Sequence, residues 1–118
     1  MANKQEKSAI ENLAKQFNKD CDVDTREITV GDKTGCVFFV DCLIDKKMLA
    51  DSIIKPILDS EDKLKGCKDL TGEITQNIVS VPKMEVCNLK DATGNVFSGF
   101  AVLAISGEKK YIAFPIQG

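Results

Sequence analysis

The chain has 118 residues, of which 43% are hydrophobic and 29% charged, with a formal net charge of −2 at pH 7. This length suits one domain, and the composition is that of an ordinary soluble globular protein. The slightly negative charge argues against nucleic-acid binding, which needs a basic face. The sequence has no histidine, which removes most acid–base and histidine–metal chemistry. We therefore expect no catalytic residue, no metal site and no cofactor.

The cysteines favour reduced thiols over a zinc site or a disulfide framework. Their number is odd, their spacing is wide, and no C-x-x-C pair occurs. No apolar signal segment follows Met1, and no apolar stretch approaches the ~20 residues of a membrane span. The chain as given is thus expected to be soluble. The five cysteines are Cys21, Cys36, Cys42, Cys67 and Cys87.

Apolar periodicity predicts nine elements in the order α β β α α β α β β. The sequence predicts helices over 5–19, 46–60, 70–79 and 89–97, and strands over 24–30, 36–40, 81–87, 100–105 and 110–116. Asp45 and Asn88 are predicted N-caps, and Pro56 should kink or break its helix. Residues 59–68 read as an exposed, charged connection, and 81–87 as an edge strand. These elements predict a single α/β domain over 1–118, with a mixed sheet of about four to five strands, hairpins, and three to four flanking helices.

Four polar residues are candidates for ligand binding or interaction: Asp24, Arg26, Asp41 and Asp45. Arg26 is the only arginine in the chain, and its planar fork suits a carboxylate partner such as Asp24 or Asp41. Asp41 and Asp45 lie close in sequence, between a predicted central strand and the next helix. Two acids there could bind a cation or act as a base. The favoured interpretation is that Asp45 is an N-cap and Asp41 an acid in the loop. The four residues would then fix the corner between the strand and the helix.

Two segments resemble the N-terminal soluble region of the A subunit of GerA-type spore germinant receptors. In the first, DVDTREITV (22–30) precedes GCVFFVDCLIDKKMLADSIIKPIL (35–58), similar to the family's Asp and Arg before a strand, its "yidGLvd" segment and its helix ending in "i..pL". In the second, FSGFAVLAISG (97–107) looks like the family's "lL.G.avlfidG", followed by a return strand. Residues 22–58 and 86–114 align in order. Cys42 departs from the pattern, because the family usually has glycine there.

The resemblance implies a non-enzymatic domain, cut from a longer membrane-associated receptor subunit. Its parent would lie in the spore inner membrane with this domain on the cytosolic side, would act with B-type and C-type subunits, and would respond to small nutrients. We expect a role in nutrient sensing or in signal relay and subunit assembly. Two alternatives remain open: a module that binds an amino acid or a sugar directly, and a small stand-alone enzyme. A concave surface beside Asp41 and Asp45 would favour direct binding.

Overall fold

The computed structural model describes residues 9–17 and 22–117, and its centre is a five-stranded sheet in the order β1-β2-β4-β5-β3. The strands are β1 (Val23–Val30), β2 (Lys33–Val40), β3 (Glu85–Cys87), β4 (Ala101–Ile105) and β5 (Tyr111–Phe114). The predicted α/β class is confirmed. Every pairing in the sheet is antiparallel, which differs from the expected mixed sheet. The direction of β4 relative to β2 depends on how a long connection crosses the sheet, and local periodicity does not record this.

Helices cover both faces of this sheet. They are α1 (residues 9–14), α2 (46–59), α3 (Glu61–Leu64), α4 (70–78) and α5 (Leu89–Phe97). On one face, Val37 and Phe39 of β2 pack in a core that includes residues of α2 and α4. On the other face, Phe38 of β2 packs in a core with residues of α1 and α5. The unbroken apolar run of β2 therefore reflects burial on both sides, as the sequence predicted.

The β1–β2 hairpin turns through the two residues Gly31 and Asp32. Gly31 has φ +64°, the left-handed value that a type II′ hairpin needs at its first loop position. A Cβ at Gly31 would also lie 2.7 Å from the backbone carbon of Leu64. The turn is shorter than the predicted 31–35, because β2 already begins at Lys33.

Helix α2 is continuous through Pro56, although its hydrogen bonding changes. An α-helical turn (Lys46–Met48) is followed by a π-helical segment (Leu49–Ile54) and then by α-helix again (Lys55–Asp59). The N–H of Lys55 donates to the carbonyl of Ala50, five residues earlier. The wider π segment lies directly before Pro56, so the imide that lacks an N–H falls at the start of a new α-helical segment. The predicted helix is confirmed, with π-helical hydrogen bonding where a kink or break was expected.

The connection predicted as exposed over 59–68 contains a helix. Helix α3 buries Leu64 completely against the core beneath the β1–β2 hairpin, while its charged residues remain in solvent. Only Leu64 and Cys67 are apolar in 59–68, and two apolar residues left no periodic signal to detect. The short helix predicted over 70–79 is confirmed as α4, an α-helical turn (Leu70–Glu73) that continues as π-helix (Ile74–Ile78).

Two further predicted elements have different bounds in the structure. The predicted strand 81–87 reaches only from Glu85 to Cys87, because Val81 turns into the core and Lys83 has φ +63°. It is an edge strand, as expected for a segment containing proline. Part of the predicted helix 5–19 lies outside the described residues; within them, 9–14 is helical.

Candidate functional site

The corner between β2 and α2 is the site that the sequence singled out. The chain leaves β2 through a 3₁₀ turn (Asp41–Leu43), and Ile44 forms an isolated antiparallel bridge with Gln117. The N–H of Asp45 donates to the carbonyl of Ile116 at 2.7 Å. Backbone contacts to the last described residues therefore hold the corner in place before α2 begins.

Asp45 is the N-cap of α2, as predicted. Its backbone is extended (φ −84°, ψ 102°), and its Oδ1 accepts hydrogen bonds from the N–H groups of Lys47 at 3.0 Å and Met48 at 3.1 Å. Both are among the first N–H groups of a helix, which have no partner within the helix itself. One oxygen of Asp45 is thus committed to the fold.

Asp41 has a different role at the same corner. Its carboxylate forms an ion pair with the Nζ of Lys46 at 3.1 Å, and both side chains are at least half exposed. An ion pair this exposed contributes little, about 0–1 kcal/mol, to stability. Asp41 therefore remains accessible to a ligand or a partner at small cost to the fold.

Asp24 and Arg26 lie outside this corner, on the edge strand β1. They are opposite Phe39 and Val37 of β2, so both side chains project from the same face of the sheet, and both residues are exposed. Neither takes part in an ion pair with another of the described residues. The expected single cluster of four is therefore divided: Asp24 and Asp41 line one cleft, Asp45 caps α2, and Arg26 stands further along β1.

The cleft beside Asp24 and Asp41 has a volume of about 400 Å³. Its lining residues are Asp22, Val23, Asp24, Val40, Asp41 and Cys42. Three carboxylates and no cationic side chain line it, so its chemistry favours a ligand with a positively charged group. The direct-binding hypothesis expected a concave surface beside both Asp41 and Asp45, whereas this cleft adjoins Asp41 and does not include Asp45.

A second cavity, of about 450 Å³, opens between α1 and the β1–β2 hairpin. It is lined by Ile10, Glu11, Glu27, Asp32, Lys33, Thr34 and Ser106. The hydroxyl of Ser106 accepts a hydrogen bond from the N–H of Thr34 at 3.3 Å, so this buried polar group has a partner. Sequence reasoning missed the cavity because its lining residues come from four separate segments and share no motif.

The buried titratable groups are held in their neutral forms. Burial, with the nearby Glu27 carboxylate, raises the pKa of the Cys36 thiol to about 11, and burial also raises the pKa of Cys87. Burial raises the pKa of Tyr111, whose hydroxyl donates to the carbonyl of Ala9 at 2.8 Å and so ties α1 to the sheet. A raised thiol pKa is the opposite of what an activated cysteine nucleophile needs.

No group of three or more Cys, Asp or Glu residues in the ranges 9–17 and 22–117 is arranged to hold a metal ion. No helix within these ranges is both long and apolar enough to cross a membrane.

Comparison with known proteins identifies the family. The family model described as "Bacillus/Clostridium GerA spore germination protein" matches residues 11–118. The chain belongs to the GerA spore germination family. The resemblance that the sequence showed over 22–58 and 86–114 is thereby confirmed. A search of curated proteins gives no match.

A solved structure shares the fold of this GerA-family domain. The N-terminal domain of the A subunit of the Bacillus megaterium spore germinant receptor GerK3 superposes with a TM-score of 0.75. The match covers 92% of this chain and 45% of that one, at 15% sequence identity. The chain thus spans less than half the length of that crystallised domain. At this identity the likeness establishes the fold.

Proposed function

We propose that this chain is part of the N-terminal domain of an A-type germinant-receptor subunit, and that it senses or relays a nutrient signal and supports subunit assembly without catalysis. The observation that carries the proposal is the family match across residues 11–118, together with the fold shared with the A-subunit domain of GerK3. The GerA-family match supports a role in spore germination, and the shared fold supports a position in the N-terminal domain of an A-type subunit.

The contacts of Asp41 and Asp45 at the corner between β2 and α2 support a role in signal relay. Asp45 is committed to capping α2, and the backbone of the corner is bonded to Ile116. A partner that contacts Asp41 would therefore act on the start of α2, whose apolar residues form much of one core. Small changes in packing of this kind transmit a signal when a ligand or partner prefers one of two arrangements.

The partners in this proposal are the remainder of the subunit and the B-type and C-type receptor subunits. The parent protein would lie in the spore inner membrane, with this domain on the cytosolic side. The solved structure that supports this proposal belongs to the A subunit of a spore germinant receptor. The present chain covers 45% of that solved domain.

Spores test the proposal directly. Spores that lack the gene should lose germination in response to at least one nutrient, and the gene restored in place should recover it. Nutrients whose response survives in the deletion strain provide the internal control. If the deletion left every nutrient response intact, or if the purified protein turned over a substrate, the proposal would be wrong.

Direct binding of a small nutrient is the second candidate, favoured by the cleft of about 400 Å³ beside Asp24 and Asp41. Its size falls within the range of small-molecule sites, and its carboxylates suit the ammonium group of an amino acid. Calorimetric titration against amino acids, sugars, nucleosides and salts tests it. Saturable binding should weaken at least tenfold in Asp24→Asn and Asp41→Asn and persist in Asp51→Asn, an exposed acid on α2. A flat response across the panel would exclude this candidate.

A small stand-alone enzyme has the weakest support. The raised pKa values of Cys36 and Cys87 oppose a role for either as a nucleophile. The family match points to germination and names no reaction.

A further inference from the structure

Strand β1 offers an unpaired edge for association. It has eight residues and a hydrogen-bonded neighbour, β2, on one side only, because it is the terminal strand of the sheet. Towards the hairpin, Ile28 and Val30 are buried while Thr29 is exposed. From Asp24 to Glu27 every residue is exposed on both faces of the sheet, so this stretch of the edge is open.

The backbone of this edge is suited to pairing. In a two-residue hairpin the closing pair, here Val30 and Lys33, is hydrogen-bonded, and such pairs alternate along the ladder. The N–H and C=O groups of Thr29, Glu27, Thr25 and Val23 therefore point away from β2. The register with β2 is continuous over all eight residues, so no bulge disrupts the strand. β1 also contains no proline and no lysine, two residues that usually protect edges.

The side chains of β1 are complementary to those of a second copy of β1. When two antiparallel strands pair, residues that are directly opposite share a face of the sheet. With Thr25 opposite Thr25 of the second copy, Asp24 lies opposite Arg26 of that copy, and the symmetry repeats this contact. Neither residue has an ion-pair partner among the described residues of its own chain.

Neighbouring registers lack this match. Moving the centre of the pairing from Thr25 to Arg26 places Arg26 opposite Arg26, and moving it to Asp24 places Asp24 opposite Asp24. Like charges that are directly opposite destabilise a sheet. Pairing centred on Glu27 places Glu27 opposite Glu27, which again opposes like charges. The charge pattern therefore selects one register, with its two-fold axis at Thr25.

We propose that two copies of this chain associate through β1, in antiparallel pairing centred on Thr25, to form a continuous ten-stranded sheet. The occupant of the edge is a second copy, because the edge carries both halves of the complementary charge pair. An exposed apolar side chain, Leu58, lies beside Arg26 and Ile28, next to the proposed contact. This inference rests on β1 alone and stands independently of the proposed nutrient response.

Sedimentation velocity over a concentration series from about 1 μM to about 1 mM tests the association. The wild-type chain should form a dimer at the higher concentrations. Asp24→Arg and Arg26→Asp each replace two attractive pairs by two repulsive ones, so each should raise the dissociation constant about tenfold or more. The double variant, Asp24→Arg with Arg26→Asp, restores the complementary charges and should return the constant to near the wild-type value.

Matched controls change the same charges elsewhere. Asp51→Arg and Lys68→Asp alter exposed residues outside β1 and should leave the dissociation constant unchanged. A wild-type chain that stays monomeric at every concentration would overturn the proposal and point to a strand of another protein as occupant. A dimer equally sensitive to the control substitutions, or insensitive to those at Asp24 and Arg26, would overturn it as well.

Cross-linking tests the register. With Cys21, Cys42 and Cys67 changed to serine, Asp24→Cys and Arg26→Cys chains should form disulfide-linked dimers when mixed and oxidised. Opposite residues of such a non-hydrogen-bonded pair have Cα atoms about 4.5 Å apart, which a disulfide can span. Either chain alone should remain unlinked. Efficient linking of one variant to itself would show a different register and contradict the selection by charge.

Discussion

Replacing Asp45 by alanine tests the assignment of this acid to the fold. The substitution removes the side-chain oxygen that accepts from the N–H groups of Lys47 and Met48. Loss of an N-cap costs about 0.5–2 kcal/mol, and we expect about 1 kcal/mol here because α2 is also held by the contact to Ile116. For a domain of this size that loss lowers the melting temperature by about 4 °C. Urea unfolding followed by circular dichroism measures the free energy of unfolding directly.

Two matched variants make the result interpretable. Asp45→Asn keeps a capping oxygen and should stay within a few tenths of a kcal/mol of the wild type. Asp41→Ala breaks only an exposed ion pair with Lys46 and should cost at most about 0.5 kcal/mol. If Asp45→Ala were neutral, or if Asp41→Ala cost more than Asp45→Ala, the division of roles between the two acids would be wrong.

Three further predictions concern the turn, the thiols and the core. Gly31→Ala should cost more than 1 kcal/mol in urea unfolding, since its φ is +64° and its Cβ would meet the chain. Gly107 also has a positive φ, +86°, but a Cβ there meets open space, so Gly107→Ala should cost less. The pKa of Cys36 is about 11 in the folded chain against an ordinary 9.0, so above pH 9 the unfolded chain loses this proton while the folded chain keeps it. Rising pH therefore favours the unfolded chain. The wild type should therefore lose stability relative to Cys36→Ala between pH 9 and pH 11, and at pH 8 an alkylating reagent should modify exposed Cys42 and spare Cys36. Phe114→Ala removes a fully buried ring and should cost about 3–5 kcal/mol by the same unfolding assay.

Much of the fold could be predicted because most elements carry a local signal. The apolar run of β2 reported a strand buried on both faces, and the extended backbone at Asp45 and Asn88 matched their capping chemistry. The features that could not be predicted depend on tertiary packing. Leu64 is buried only because α3 packs beneath the hairpin, and nothing in its own neighbourhood indicates this.

The sequence singled out four polar residues, and their grouping in the structure differs from the single cluster that was expected. Asp41 and Asp45 are near each other in sequence and meet at the corner as expected. Asp24 reaches the cleft because Val23 pairs with Val40, a register that the sequence of β1 alone does not determine. Arg26 lies two residues further along the same face and forms no ion pair with Asp41 or Asp45.

The division of the four polar residues follows from the physics of an edge strand. A charged side chain on a central strand must find a partner within the fold, because burial without one costs several kcal/mol. A terminal strand carries no such demand, so Asp24 and Arg26 stay exposed on β1, while Asp45 at the helix start is bonded internally. The internal hydrogen bonds of Asp45 thus serve the start of α2, while Asp24 and Arg26 carry charges that we propose are used in pairing with a second copy of β1. The lone arginine of the chain stands in the second group, opposite the position where a symmetric partner would place Asp24.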